Sequence, residues 1–375
     1  MQDDRPNAAS AAQRAGVGRG LGVSAGAPWT SRIESVGVCL PRQRLSTREL
    51  MASCPGAADV DLEGLTGIRW RRVCSDDEDS HSLARDAALD CLAHSRHRGP
   101  DIEMLITCSI TKYRGRRDVN YEPGVSFVVK NEIGAAGALH FDLSNACAGM
   151  LTGVLILDDF IRRGAVRRGM VVSGESITSL SRNATGSVQG IASPELASLT
   201  LGDAGAAVIL ERNADGTPGI TACDLVTFAE YSDLCVARPC PHGPGAVMHT
   251  DAKALHQVAI LCCVPSLRRA LERSGTSWGE IDWVIPHQSS ERAIREGTRY
   301  VSSQLGGVPK HIVYNLEAYG NTSSTTHFVA LYGHLRERRI QPGQQVAMLC
   351  FASGLVVGAV VFTMDHLVEA YARPA

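Results

Sequence analysis

The sequence has twelve cysteines but no Cys-x-x-Cys pair. The nearest approach to a metal spacing is CVARPCPH, with Cys235, Cys240 and His242. No second cluster completes a tetrahedral set, so no metal is expected. No apolar run is long enough to span a bilayer. The N-terminal residues lack the apolar core of a secretion signal. A cysteine-scattered chain of this kind is expected in the reducing cytoplasm, away from membranes. The formal charge of −2 gives no basic field to recruit nucleic acid. There is no nucleotide-binding loop and no haem or flavin signature. What is present is ordinary globular composition: 375 residues, 44% hydrophobic and 20% charged. That is enough for a large core or for two fused halves.

Residues 1–30 are rich in Ala, Gly, Ser and Arg without an apolar period, and read as a flexible tail. They contain GVSAG (Gly22 to Gly26), which matches the Gly-x-Ser-x-Gly pattern of hydrolases. That pattern needs a strand before it and a helix after it, and neither is expected here. From Arg32 onward, strand and helix patterns alternate. RIESVGVCLP, IEMLITCSI, ALHFDLS, GMVVSGES and AGAAVILER read as strands. HSLARDAALDCLAHS has helical spacing, EPGVSFVVKNEIG reads as a helix with Pro123 in its first turn, and another helix starts at Cys147. NADGTPG (Asn213 to Gly219) is the strongest turn signal. Beyond it the rhythm repeats: a helix from about Thr250 to Ser274, strand IDWVIP, helix SSERAIREGTRYVSSQ, strand HIVYNL, helix SSTTHFVALYGHLRER, and strands QVAMLCF and VVGAVVFTM. The expected organisation is a tail over 1–30, one α/β half over 31–212 and a second over 218–366, in a layered α/β architecture.

Three segments share one design, in which an apolar strand ends and a reactive or amide side chain follows. They are LSNACAGM with Cys147, WVIPHQSS with His287 and EAYGNTSS with Asn321. Ligands collect at the carboxyl ends of strands in open α/β sheets. A thiol at a helix N-terminus faces the positive end of the dipole, which favours thiolate. CFASGLVVG supplies a small-residue turn where backbone N–H groups can approach a ligand. Taken singly, these are a core cysteine, a strand-end histidine and a turn asparagine. Their order and common placement point to a site.

On these residues the chain resembles the ketoacyl synthase III-type condensing enzymes of the thiolase superfamily, from about Arg32 to Met364. LTGIRWRRV, NACAGM, LGDAGAAVIL, PHQSSERAI and YGNTSS fall in that family's order. The resemblance implies a thiolase-like fold of two similar halves in an αβαβα core. It implies that Cys147 takes an acyl group from a thioester, and that His287 and Asn321 donate to the carbonyl of a second thioester and stabilise its enolate. Backbone N–H groups of Cys147 and Ser353 would hold the oxyanion of acyl transfer. Ala352–Ser353–Gly354 stands where the family usually has three glycines.

DVNYEPGVSF carries Glu122–Pro123 where fatty-acid-initiating members have an aromatic residue, and this is similar to the OleA-type branch. SPELASLTLG and ASGLVVG are also closer to that branch. The resemblance then makes Glu122 a base reaching the neighbouring subunit's site in a homodimer; the plainer role is a helix-start carboxylate. Asp61 and Leu65 occupy the positions of the family's adenine-stacking tryptophan and adjoining arginine. Arg292 matches a basic position that greets acyl carrier protein. Substrates would arrive on CoA or on the phosphopantetheine of a carrier protein, with no other cofactor. Two alternatives stay open: an acyltransferase delivering to a hydroxyl or amine, and a non-catalytic partner subunit. Retention of Asn321 favours condensation over the first, and retention of Cys147 argues against the second.

Overall fold

The computed structural model describes residues 21–22, 29–115 and 118–371. Five strands form the first sheet: β1 (Thr30–Cys39), β2 (Met104–Thr107), β3 (Leu139–Asp142), β4 (Arg168–Glu175) and β5 (Ala204–Asn213). Five more form the body of the second: β6 (Ile220–Thr227), β7 (Trp283–Pro286), β8 (His311–Ile312), β9 (Gln345–Ala352) and β10 (Val356–Thr363). The spatial orders are β1-β5-β4-β2-β3 and β6-β10-β9-β7-β8. The second order is the first repeated. In both sheets the first two pairings are antiparallel and the last two parallel. The turn Asn213–Gly219 joins β5 to β6.

The strands are near-continuous apolar runs because both faces are covered. β4 and β10 have seven buried residues each out of eight. The central core is made by inner faces of both sheets together with α3 (Gly149–Arg162) and α6 (Thr326–Arg336). On the outside, α1 (Ser80–Ala93) and α2 (Val125–Glu132) cover the first sheet, and α4 (Ala252–Ser274) covers the second. Helix α5 (Glu291–Leu305) follows β7 and packs beside α4. The result is the αβαβα layering of the thiolase-like fold. Among the described residues, no helix is long and apolar enough to cross a membrane.

Several elements differ from the sequence reading. Leu21–Gly22, inside the segment expected to be a tail, pairs antiparallel with Leu225 and Asp224 at the edge of the second sheet. Thr30 opens β1, and Arg212 lies over the Trp29 ring at 4.4 Å. A sheet edge supplies backbone partners to a segment that has no apolar period of its own. Residues 1–20 and 23–28, which include most of GVSAG, lie outside the described residues. Pro123 is not in the first turn of α2: Gly124 is the N-cap, and the helix starts at Val125. Strand β6 and the hairpin Cys235–Pro239 with Ala246–Thr250 were not legible as strands, and HIVYNL keeps only two strand residues before the short helix Leu316–Tyr319.

Candidate active site

Strand β3 ends at Asp142, and the chain then makes a single 3₁₀ turn, Ala146–Ala148, before α3. Ala146 has φ 44°, a left-handed conformation that costs strain outside glycine. The turn places Cys147 at the helix start and partly accessible. Gly149 lets it approach the neighbouring strand end, because a Cβ there would lie 2.8 Å from the Cys108 carbonyl oxygen.

In the second half, β8 leads through Leu316–Tyr319 to Gly320, which has φ 67° and whose Cβ would fall 2.7 Å from the Thr200 carbonyl oxygen. Only glycine fits both demands. Asn321 is thereby clipped to the first half. Its N–H donates to the Thr200 carbonyl at 2.9 Å, and its carbonyl accepts from Gly202 N–H at 3.0 Å. Its side-chain Oδ1 accepts from the Ser323 N–H at 2.9 Å, which assigns Nδ2 as the free donor. Ser323, with φ 58°, brings its Oγ to 3.6 Å from Cys147 Sγ.

His287 follows the end of β7, with its N–H donating to the Leu349 carbonyl at 3.0 Å. Burial and the His327 ring, 6.0 Å away, push its imidazole down to about 3, so it is neutral at physiological pH. Its Nδ1 is buried without a partner.

Cys147, His287, Asn321, Ser323 and Ser353 all line one cavity of about 950 Å³. Its remaining wall is largely apolar, with Ile177, Leu180, Met248, Leu255, Ile260 and Phe351 among the residues that face it. The Cys147 thiol does not match the expectation of a thiolate. Burial pushes it up to about 12, with Cys235 and Glu175 acting in the same direction and the Ser323 hydroxyl against them. Desolvation outweighs the helix N-terminus here.

Of the other expected residues, some share this cavity and some do not. Ser353 sits in the turn between β9 and β10, and its hydroxyl donates to Cys235 Sγ at 3.0 Å. Glu122 is exposed ahead of α2 and does not line this chain's cavity. Arg292 lies in the first turn of α5 with its side chain 77% exposed, paired with Glu296 at 2.8 Å. Asp61 caps the helix Leu62–Thr66 through Gly64 N–H, while Leu65 lines the cavity and is partly exposed. Cys235 lines the cavity, whereas His242 is exposed on the hairpin.

Sequence reasoning missed Glu175. This fully buried carboxylate at the end of β4 accepts from Ile110 N–H at 2.9 Å, Thr111 N–H at 3.1 Å and Ser324 Oγ at 2.6 Å. It ties the two halves together beneath the thiol. A glutamate at the end of an apolar strand carries no sequence signal of that role.

Two family descriptions match the chain: 3-oxoacyl-acyl-carrier-protein (ACP) synthase III over residues 141–228, and the C-terminal part of the same enzyme over residues 271–364. The beta-ketoacyl-acyl-carrier-protein synthase III of Streptomyces lividans is 30% identical over 333 residues, covering 87% of this chain and 92% of that protein. The chain belongs to the ketoacyl synthase III family. Membership makes it an acyltransferase-type enzyme. A solved priming beta-ketosynthase of a polyketide biosynthetic pathway matches this ketoacyl synthase III chain with TM-score 0.76 and 26% identity, over 90% of this chain and 97% of the other. Xanthomonas campestris OleA, 22% identical, matches with TM-score 0.77 over 91% of this chain and the whole of that one, which establishes the shared fold.

Proposed function

We propose that the protein joins two acyl thioesters by Claisen condensation, with Cys147 carrying the first acyl group. The single observation that supports this most is the convergence of Cys147 and His287, each following a strand, and Asn321, following the short helix Leu316–Tyr319, on one largely apolar cavity. In the first step Cys147 Sγ attacks a thioester carbonyl. A thiol held near 12 keeps its proton at neutral pH, and an imidazole held near 3 is too weak a base to take it, so the Cys147 proton passes to the departing carrier sulfur as the thioester opens. Backbone N–H groups of Cys147 and Ser353 receive the oxyanion, and the carrier leaves as a thiol after taking up a proton.

In the second step the carbonyl of another thioester sits against His287 and Asn321 Nδ2. Donors fixed in a dry cavity contribute roughly 3 kcal/mol each to a developing enolate. The enolate forms by loss of an α-proton or of carbon dioxide, and its carbon attacks the acyl group on Cys147. A 3-oxoacyl thioester forms and the thiol is regenerated.

A homodimer completes this reading. β3 is the open edge of the first sheet, and its Leu139 is 57% exposed. Val119, Tyr121 and Phe127, around Glu122, are exposed as well. An unpaired strand edge with apolar neighbours favours a second copy, whose cavity Glu122 would enter as a base. We also place the protein in the cytoplasm, since all twelve cysteines are unpaired. Leu65 on the cavity wall and Asp61, which caps the same short helix, offer no ring or guanidinium for adenine, which supports delivery by carrier protein, with Arg292 as a surface contact. No further cofactor is needed.

The experiment is to offer the same acyl chain on carrier protein and on CoA, follow the protein's intact mass, then add a second thioester and identify the product. Acylation favouring the carrier protein, followed by a 3-oxoacyl product, is expected. Transfer to an added alcohol or amine without a carbon–carbon bond would overturn condensation.

A further inference from the structure

Arg71 lies in the strand Trp70–Val73, fully buried, and no acidic group among the described residues pairs with it. Burial pushes its guanidinium down to about 10, which leaves it protonated at neutral pH. A buried cation without a counter-ion is costly, so its hydrogen bonds carry the burden of retaining it. They go to backbone carbonyls and one hydroxyl. Nη1 donates to the Leu199 carbonyl, with Leu201 O at 3.5 Å, and Nη2 donates to Thr47 Oγ1 at 2.6 Å. Nε has no partner.

The two carbonyls flank Thr200, whose own carbonyl accepts the Asn321 N–H. Leu201 and Asn321 form an isolated parallel bridge. The Arg71 Cβ itself packs where side chains on Gly202 and Gly320 would stand, 3.3 and 3.7 Å from their ideal Cβ positions. The guanidinium fork therefore fixes one side of a short segment, 199–202, and Asn321 is fixed to the other side.

We propose that Arg71 is a positioning residue for Asn321, holding the 199–202 segment so that the Asn321 amide meets the second thioester. This rests on the reading of Asn321 as an enolate donor. Lysine keeps the charge but not the planar fork that spans two acceptors. The test measures both half-reactions in Arg71→Lys, Asn321→Ala and the double variant: acylation of Cys147 by intact mass, and condensation by product formation. Arg71→Lys is expected to acylate at close to the wild-type rate while condensing about tenfold or more slowly, because small misplacements of a catalytic group are expensive. In the Asn321→Ala background, Arg71→Lys is expected to add no further loss, as for residues acting in series.

Equal losses in both half-reactions, no loss in condensation, or additive losses in the double variant would overturn the inference. Wild-type condensation by Asn321→Ala would overturn the reading of Asn321 as well, which separates the two failures. Should Arg71→Lys fail to fold, Thr47→Val removes the acceptor of Nη2 together with the hydroxyl's own donation to the Ile68 carbonyl at 2.5 Å, and is expected to show the same split at smaller size; an equal loss in both steps there counts against the inference.

Discussion

The helix-start turns of the two halves are built alike and used differently. In the first half, β3 feeds the 3₁₀ turn Ala146–Ala148 and then α3; in the second, β8 feeds Ser323–Thr325 and then α6. Each turn opens on a residue with positive φ, Ala146 at 44° and Ser323 at 58°. The residue after it is Cys147 in one and Ser324 in the other. Cys147 opens onto the cavity, while Ser324 is fully buried and donates to Glu175 at 2.6 Å. The repeated topology brings the two turns face to face, with Cys147 Sγ 3.6 Å from Ser323 Oγ. Only one of the turns carries a thiol. The other braces the interface between halves, and in the proposed reaction the chemistry of its half moves upstream to Asn321. On that proposal the duplicated scaffold gives the two substrates of a condensation separate sets of groups.

Replacing Cys147, the proposed nucleophile, should have the largest effect. Cys147→Ala is expected to gain no acyl mass and to turn nothing over; an unchanged mass gain would place the nucleophile elsewhere. In the proposed reaction His287 faces the second substrate together with Asn321, so His287→Ala is expected to keep acylating Cys147 while slowing condensation by about a hundredfold or more, read from single-turnover rates. A variant slowed in neither step would remove His287 from the account.

The second turn can be broken structurally. Ser324→Ala takes a donor from the buried Glu175 carboxylate and is expected to lower stability by about 1–3 kcal/mol in urea unfolding. If stability holds and only acylation falls, Ser324 acts on the thiol and is not a brace. The smallest effect sharpens the first turn. With the thiol near 12, alkylation of Cys147 by iodoacetamide should rise about tenfold per pH unit from pH 7 to pH 10, because only thiolate reacts. A plateau below pH 9 would mean that the helix start outweighs burial after all.

The sequence made β2, β4 and β5 legible because they are apolar runs, and Cys147 and His287 because each follows a strand, whereas the HIVYNL segment ahead of Asn321 keeps only two strand residues before the helix Leu316–Tyr319. It hid β6, whose ITACDLVT mixes Thr and Asp into the strand. Asp224 there is fully buried against Arg269 and Arg273, partners about 45 residues away in the chain. It also hid the sign of the Cys147 shift. A helix start is a local feature, whereas the burial that outweighs it is assembled from both halves. Arg71 stood inside the LTGIRWRRV segment, but its role depends on the carbonyls of residues 199 and 201, which no spacing in the chain brings to mind.

The account's central claim is that one turn makes the acyl-enzyme and the other half receives the second substrate. The most direct test is the intact mass of the Asn321→Ala protein after an acyl thioester is added, followed by its fate when a second thioester arrives. The account predicts a full acyl mass gain on Cys147 that then fails to become condensed product, with condensation slowed about a hundredfold or more. Loss of the acyl mass gain itself, or product formation at the wild-type rate, would contradict it.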